Sequence, residues 1–335
     1  MKSIKSLFRS LEVDFSAKVR WRMKYDSNPL FVILQDKYKV REYAKSKGVK
    51  TANLLYDTYR PETIPFGELP PKYLIKANHG CGWNILCYNS ELYLFRDGQD
   101  LVNRDGSLLK TSSATKYKIE KAEAIQMCRE WLSRSYCRRE WAYQHIGSRI
   151  LVEELLLPKD NKALLDYRMY SFSGKVKAIN VGSPIFRRNG VNVFFSPDLN
   201  EFKLTKNKET PTDPLPEKPG SLGEMIDVAQ RLGKGVDFAR IDLYDTTQGV
   251  VLGEITIYPE GGWRDTPTSC PVFNKWLGDQ WKLGRTDATV AFCWNVACIV
   301  RSLTRRIKGK VMSKSYPRDS FFPFEYNINS DAICV

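Results

Sequence analysis

Residues 238–263 read FARIDLYDTTQGVVLGEITIYPEGGW, two runs rich in Ile, Val, Leu and Tyr around a turn-prone Asp-Thr-Thr-Gln-Gly. The pattern predicts a β-hairpin, with Gly249 free to take positive φ in its loop. With Thr247, Gln248 and Gly249 as the loop, Ala239 faces Ile257, Ile241 faces Ile255 and Leu243 faces Gly253, so one face is almost wholly apolar. The other face sets Asp242 opposite Glu254 and Arg240 opposite Thr256. Like charges opposed at a Cβ separation of about 5 Å are destabilising unless something neutralises them. Two things could: a divalent cation between the carboxylates, or Arg240 pairing with Asp242 on a solvated face.

Working outward, composition narrows the choice. The chain has 335 residues, 42% hydrophobic and 12% aromatic, enough to bury a large core over two or three lobes. Its longest apolar run, near Val290 to Val300, is broken by Asn295 and is too short to span a bilayer. The start, MKSIKSLFRSLEVDF, lacks the continuous apolar core of a signal peptide, so a cytoplasmic location is expected. Eight cysteines without a CxxC, and only two histidines (His79 and His145), argue against a Cys/His zinc site and for reduced thiols. Any metal must then have oxygen ligands, which points to magnesium. A net charge of +14 favours anionic partners such as nucleotides, acidic polysaccharides, nucleic acid or anionic lipid. With no RNA-binding aromatic signature, zinc finger or basic heptad region, nucleic acid is not the expected partner.

In chain order, Phe8, Leu11, Phe15, Val19 and Met23 are spaced as an amphipathic helix. Asp36 and Lys37 then open KYKVREYAKSKG, a helix with a Val40, Tyr43 and Ala44 stripe that Gly48 stops. A strand from Tyr73 to Ala77 carries Lys76 near its end and runs into NHGCGWN, residues 78–84, before a second strand from Ile85 to Tyr88. Such a loop can fold backbone amides over phosphate oxygens, or be an ordinary hairpin. Ile119 to Tyr136 reads as a helix with Ile119, Ala122, Cys128, Trp131 and Leu132 near one face. RILVEELLLP, residues 149–158, reads as a strand whose adjacent Glu153 and Glu154 point to opposite sides, although an edge strand fits equally. LDYRMYSF and KVKAINVG make a hairpin about Ser173-Gly174, with Asp166, Arg168 and Tyr170 on one face. There Arg168 can fork onto phosphate or carboxylate, or serve a structural ion pair. Leu222 to Leu232 is helical and leads into the opening hairpin. The stripe from Val290 to Ile307 ends in cations, which suits either peripheral contact with an anionic membrane or a core-covering helix with a matched dipole.

Taken together, the blocks DKYKVREYAKSKG, YLIKANHGCGWN, DYRMYSFSGK, FARIDLY, GEITIYPEGG and LGDQWKL resemble the TupA-like family of the ATP-grasp superfamily, associated with teichuronopeptide biosynthesis. They span roughly residues 20 to 283. The resemblance implies an α+β ATP-grasp fold, with nucleotide held between two lobes that each carry an antiparallel sheet. Expected regions are an N-terminal helical part at 1–70, a small lobe at 71–148, a large lobe with the metal site at 149–285, and a basic helix and tail at 286–335. Carried over by position, Lys37 and Lys76 serve the phosphates and adenine edge, and residues 78–84, with Asn78, His79, Gly80 and Gly82, form a flexible loop over the triphosphate. Glu153, the Glu154 carbonyl and the Leu156 amide hold adenine, and Asp160 holds ribose. Asp242 and Glu254 hold Mg2+, with Thr256 where many ATP-grasp enzymes have Asn, which puts a second metal position in question. Arg168 and Arg240 stabilise the transferring phosphoryl group.

The implied activity is ATP-dependent joining of a carboxylate, of uronic acid or glutamate type, to an amine donor through an acyl phosphate. A glycosyltransferase of a polysaccharide locus is the alternative, against which the chain lacks any Asp-x-Asp. A phosphotransferase acting on a hydroxyl is another. Two histidines and no G-x-S-x-G elbow fit chemistry that needs no nucleophilic side chain.

Overall fold

Among the described residues three short helices come first, each preceded by a side chain that satisfies otherwise unpaired amides. In α1 (Phe15–Tyr25) Asp14 accepts from the Ala17 amide at 2.7 Å. In α2 (Pro29–Gln35) Asn28 caps and Pro29 occupies the first turn, where its missing N–H costs nothing. Ahead of α3 (Lys39–Ser46), Asp36 accepts from the Tyr38 amide at 2.9 Å, and Gly48 ends the helix at φ 66°. The computed structural model describes residues 14–94, 117–159, 164–182, 192–199, 204–205, 218–262, 270–283 and 296. The expected 290–307 helix, apart from residue 296, lies outside these residues, as do Phe8 and Leu11.

The remaining elements are β1 (Lys50–Thr51), β2 (Leu54–Thr58), β3 (Lys72–Ala77), β4 (Asn84–Tyr88), β5 (Glu91–Leu94), β6 (Lys118–Ile119), α4 (Lys121–Ser133), β7 (Ile150–Glu154), β8 (Asp166–Phe172), β9 (Lys175–Gly182), β10 (Asn192–Phe195), β11 (Leu204–Thr205), α5 (Leu222–Gly233), β12 (Phe238–Thr246), β13 (Gly249–Thr256) and α6 (Pro271–Gln280). They build two sheets. One has the order β1-β13-β12-β8-β9-β10-β11, the other β2-β7-β3-β4-β5-β6. Among the described residues every pairing between these strands is antiparallel except β1 with β13. Because β2 and β7 belong to the same sheet as β3 to β6, the sheets do not divide at residues 70 and 148.

Each sheet has its own core. On the six-stranded sheet, α4 buries Ala124, Cys128 and Trp131 against Ile75, Leu92 and Val152. The capping pair Glu120 and Glu123 starts α4 at Lys121, which leaves Ile119 in β6 and puts Ala124, in place of the expected Ala122, on the inner face. On the seven-stranded sheet, Met225, Val228, Ala229 and Leu232 of α5 pack against β8, β9 and β12. The opposite face is covered at one end by α1 and α6, where Phe15, Phe238 and Trp281 cluster with the Phe15–Phe238 and Phe238–Trp281 centroids each 4.9 Å apart. Arg22 of α1 is fully buried there, its guanidinium 4.2 Å from the Trp281 ring, donating to the Phe238 carbonyl at 2.7 Å and paired with Asp237. Thus α1 fixes the start of β12, the strand that carries Arg240 and Asp242.

The β12–β13 hairpin forms with one change of register. Its loop has two residues, Thr247 and Gln248, with Thr246 opposite Gly249, and Leu243 faces Leu252, not Gly253. A bulge between Asp242 and Leu243 absorbs the difference, so Ile241–Ile255, Asp242–Glu254 and Arg240–Thr256 stand as expected. Gly253 supplies the extra residue, and a Cβ there would lie 2.5 Å from the Tyr244 ring. Hydrophobic alternation is blind to such a bulge.

Cys87, Cys128, Cys137 and Cys270 are free thiols, but Cys81 is disulfide-bonded, against the expectation of reduced cysteines. Spacing along the chain did not report that pairing. No helix among the described residues is long and apolar enough to cross a membrane.

Candidate active site

A row of polar side chains crosses the seven-stranded sheet on the face opposite α5. Register places Asn180 of β9 beside Arg168 of β8, Arg168 beside Asp242 of β12, and Asp242 beside Glu254 of β13. Strand alternation puts Asp166 and Arg240 on the same face. Arg168 donates to Asp166 Oδ2 from Nε at 2.9 Å and to Asn180 Oδ1 from Nη1 at 3.1 Å. Arg240 donates from Nη2 both to Asp242 Oδ2 at 2.6 Å and to Glu254 Oε1 at 3.1 Å. Its guanidinium thus bridges the opposed carboxylates and extends the expected Arg240–Asp242 pairing to Glu254, but the face that carries it is buried, against the solvated face expected with that pairing. Thr256 donates its hydroxyl to Glu254 Oε1 at 3.0 Å.

Burial makes these charges interdependent. It pushes the Asp242 carboxyl up to about 7, with Arg240 opposing the rise and Asp166 and Glu254 adding to it. Burial acts on Glu254 in the same sense, yet Lys37 and Arg240 outweigh it and hold this carboxyl below its ordinary range. Burial opposes the charge on Arg240, but Asp242 and Glu254 drive its pKa well above the ordinary value. Asp166 is also buried, and its Oδ1 has no hydrogen-bond partner.

The other sheet reaches this row through Lys37. Its backbone N–H donates to the Asn78 carbonyl at 3.1 Å, and its Nζ donates to the Gly80 carbonyl at 2.9 Å and lies 3.4 Å from Glu254 Oε2. One buried ammonium group therefore links loop 78–84 to the acidic hairpin. The loop is braced from several sides. Asn78 donates to Asp36 at 2.8 Å and to the Gly147 carbonyl at 2.9 Å, and accepts from the Arg149 amide at 2.7 Å. The His79 Nε2 lies 3.0 Å from the Trp131 carbonyl at the end of α4, so the ring is engaged with that helix. Gly80 lies against Trp83, where a Cβ would come within 2.4 Å of the indole, and Gly82 takes φ 70°.

At the other edge, the side chain of Glu153 is buried between two cations: Lys76 Nζ at 2.5 Å and Arg41 Nη1 at 2.9 Å. Glu154 faces elsewhere and accepts from the Asn53 amide and Gln248 Nε2, each at 2.9 Å. The amide of Glu154 donates to the Asn53 carbonyl. Leu156 lies half-buried in the connection after β7. Asp160 is outside the described residues. Arg41 escaped the sequence reading, which followed the apolar stripe of α3; its spacing of four residues from Lys37 was the available signal.

Asp242 and Glu254 with the Thr256 hydroxyl offer hard oxygen ligands, the donor chemistry that Mg2+ takes. Among the described residues no group of three or more His, Cys, Asp or Glu side chains is arranged to hold a metal. Two carboxylates fit an ion that phosphate oxygens help to hold.

Two sheets, one with a glycine loop at its edge and the other with an acid–arginine row, are the frame in which the ATP-grasp family relationship is read. The family model described as TupA-like ATP-grasp matches residues 17–282, and the chain belongs to that family. Solved structures to which the chain is similar include the D-alanine–D-alanine ligase of Bacillus anthracis complexed with ATP (13% identity, 77% of this chain and 66% of that one, TM-score 0.39). Others are the ATP-grasp ligase PsnB complexed with a minimal precursor (14%, 69% and 54%, 0.33) and the VanG D-Ala:D-Ser ligase of Enterococcus faecalis (13%, 78% and 62%, 0.35). The chain thus spans about half to two thirds of the length of these three. No curated protein matches it.

Proposed function

We propose that the protein is an ATP-dependent carboxylate–amine ligase that works on a cell-surface or capsular polymer, with an acidic substrate of uronic acid or glutamate type. Family membership supports the ATP-grasp chemistry. The observation that carries the reading is the reach of Lys37 to both Gly80 and Glu254, since it draws the phosphate-type loop onto the acidic hairpin. In this reading ATP is a substrate. Glu153, the Glu154 carbonyl and the Leu156 amide take adenine, Asp160 takes ribose, and Lys37 and Lys76 take phosphate oxygens. Loop amides from Gly80 and Gly82 add donors, while Asn78 and His79 act as braces.

Asp242 and Glu254 would hold Mg2+, which supplies charge neutralisation at the phosphates. Thr256 orients Glu254 through its hydroxyl. Arg168 and Arg240 face the developing negative charge as the γ-phosphoryl group passes to a substrate carboxylate oxygen, giving ADP and an acyl phosphate. Attack of the amine nitrogen on the acyl carbon then forms the C–N bond and breaks the C–O bond to phosphate. Arg240 must exchange part of its bonding to the carboxylates for phosphate oxygens, which suits its fork of donors.

Incubation of the protein with Mg-ATP and pairs drawn from glucuronate, galacturonate or glutamate and a panel of amino acids tests the proposal. ADP and an amide are expected only with both substrates present. Equal ADP release with neither substrate overturns the reading.

A further inference from the structure

Arg168 and Asp242 are register partners on β8 and β12, close enough for an arginine to pair with the carboxylate opposite it. Yet no ion pair joins them among the described residues, and the Arg168 guanidinium is turned to the other side, over β9. Asp166, Asn180 and Gly182 hold it there. Asp166, two residues back on the same strand face, takes Nε at 2.9 Å and Nη2 at 2.8 Å, both on its Oδ2. Asn180, the partner of Arg168 in β9, accepts from Nη1 at 3.1 Å. Gly182, the partner of Asp166, is the floor: a Cβ there would lie 3.1 Å from Cζ, Nη1 and Nη2 alike, so the guanidinium lies flat across it. Gly182 takes no positive φ. Its backbone therefore does not call for glycine, and what the missing side chain supplies is room.

Of the five N–H groups of a guanidinium, these contacts take one each on Nε, Nη1 and Nη2, and the others have no partner among the described residues. The side chain keeps 13% exposure on the face it shares with Asp242 and Glu254. Asp166 is not satisfied as a purely structural partner would be. Its Oδ1 is buried without a hydrogen bond, a cost that forked pairing on both oxygens would avoid. The arrangement forgoes that fork and leaves the end of the guanidinium free. We propose that Asp166, Asn180 and Gly182 are positioning residues, which hold Arg168 off Asp242 and present its free edge to phosphate oxygens of the nucleotide. The assignment rests on the ligase reading for the nucleotide, but the dependence of polyphosphate binding on Gly182 through Arg168 does not. An arginine released from this cradle has Asp242 as its opposite charge, and a guanidinium paired there is withdrawn from phosphate.

The test is isothermal titration calorimetry of the full chain with sodium tripolyphosphate at constant magnesium chloride, beside urea denaturation of the same proteins. Saturable binding is expected in the wild type, and Arg168→Met should weaken it about 10-fold or more, the worth of one charge-assisted hydrogen bond. Gly182→Ala removes no charge and no donor, yet its Cβ must lift the guanidinium. It should weaken binding about 10-fold while the urea midpoint holds or rises, as for Gly→Ala where the backbone suits both residues. In the Arg168→Met background the same change should leave binding unaltered. Asp166→Asn, which gives up the charge that holds Nε, should weaken binding as Gly182→Ala does, again only when Arg168 is present. Where Arg168→Met fails to fold, Arg168→Lys, which keeps the charge without the fork, serves as the background. Wild-type binding in Gly182→Ala, a loss of binding that tracks a loss of stability, or an equal loss with and without the Arg168 guanidinium overturns the cradle. So does the absence of saturable binding in the wild type. Tripolyphosphate binding that depends on Arg168 and Gly182, in a protein that turns over no carboxylate–amine pair, upholds the cradle and removes the ligase reading.

Discussion

Replacing Lys37 by Met tests whether the ammonium group that joins the two sheets is an energetic link. At 3.4 Å and an effective dielectric constant of about 20, its attraction to Glu254 is about 5 kcal/mol before desolvation is counted. Leaving one member of a buried pair alone costs about 3–5 kcal/mol; because Arg240 and the Thr256 hydroxyl still hold Glu254, Lys37→Met should lose about 3 kcal/mol or less at pH 7. Glu254→Gln removes the carboxylate that Lys37 helps to neutralise, and the double variant should recover about 1–2 kcal/mol relative to the sum of the single losses. Urea denaturation of the four proteins measures the cycle. The acid limb gives an independent reading. Glu254 has its folded pKa below the 4.5 of the unfolded chain, so its contribution is present above pH 4.5 and is lost as pH falls through the lower folded value. In Lys37→Met that acid-dependent loss should shrink. Strictly additive single effects, with an unchanged acid limb, refute the link.

Other outcomes follow from separate contacts. Asp242→Asn or Glu254→Gln should abolish ATP turnover with the fold retained by circular dichroism, whereas Thr256→Ala, which loses only the bond that orients Glu254, should reduce it about 10–100-fold. Gly80→Val places its Cβ 2.4 Å from the Trp83 indole; the indole must leave, and the thermal shift induced by Mg-ATP should largely disappear. Burial lowers the pKa of His79 below its ordinary 6.5, despite the Arg134 and Trp131 carbonyls; the neutral ring therefore stabilises the fold above pH 6.5 and that contribution fades as pH falls through the depressed value. His79→Gln should flatten this decline in denaturation midpoints between pH 7 and 5. Burial pushes the Cys128 thiol up to about 12, so iodoacetamide at pH 8 should alkylate it only after unfolding.

What the sequence revealed, it revealed through alternation and short range. The Asp242–Glu254 opposition and the separate facing of Glu153 and Glu154 are consequences of the period of two in a strand, and both are observed. Sheet membership of β2 and β7 is different in kind, because pairing across more than 90 residues leaves no local trace. Arg41 was legible as a position four residues beyond Lys37 but not as a partner of Glu153, which is 112 residues away.

The hairpin between β12 and β13 keeps count of its own length. A two-residue turn advances the return strand by one residue relative to a three-residue turn, and the bulge at Gly253 sets it back by one before Glu254 is reached. Insertion of one residue after Gln248, with the bulge kept, would hand Glu254 to the α5 side and bring a neighbour into its place. Deletion of Gly253 together with that insertion would restore the frame. Length changes in this hairpin are therefore tolerable in compensating pairs, and a single one acts as a frameshift of the sheet face.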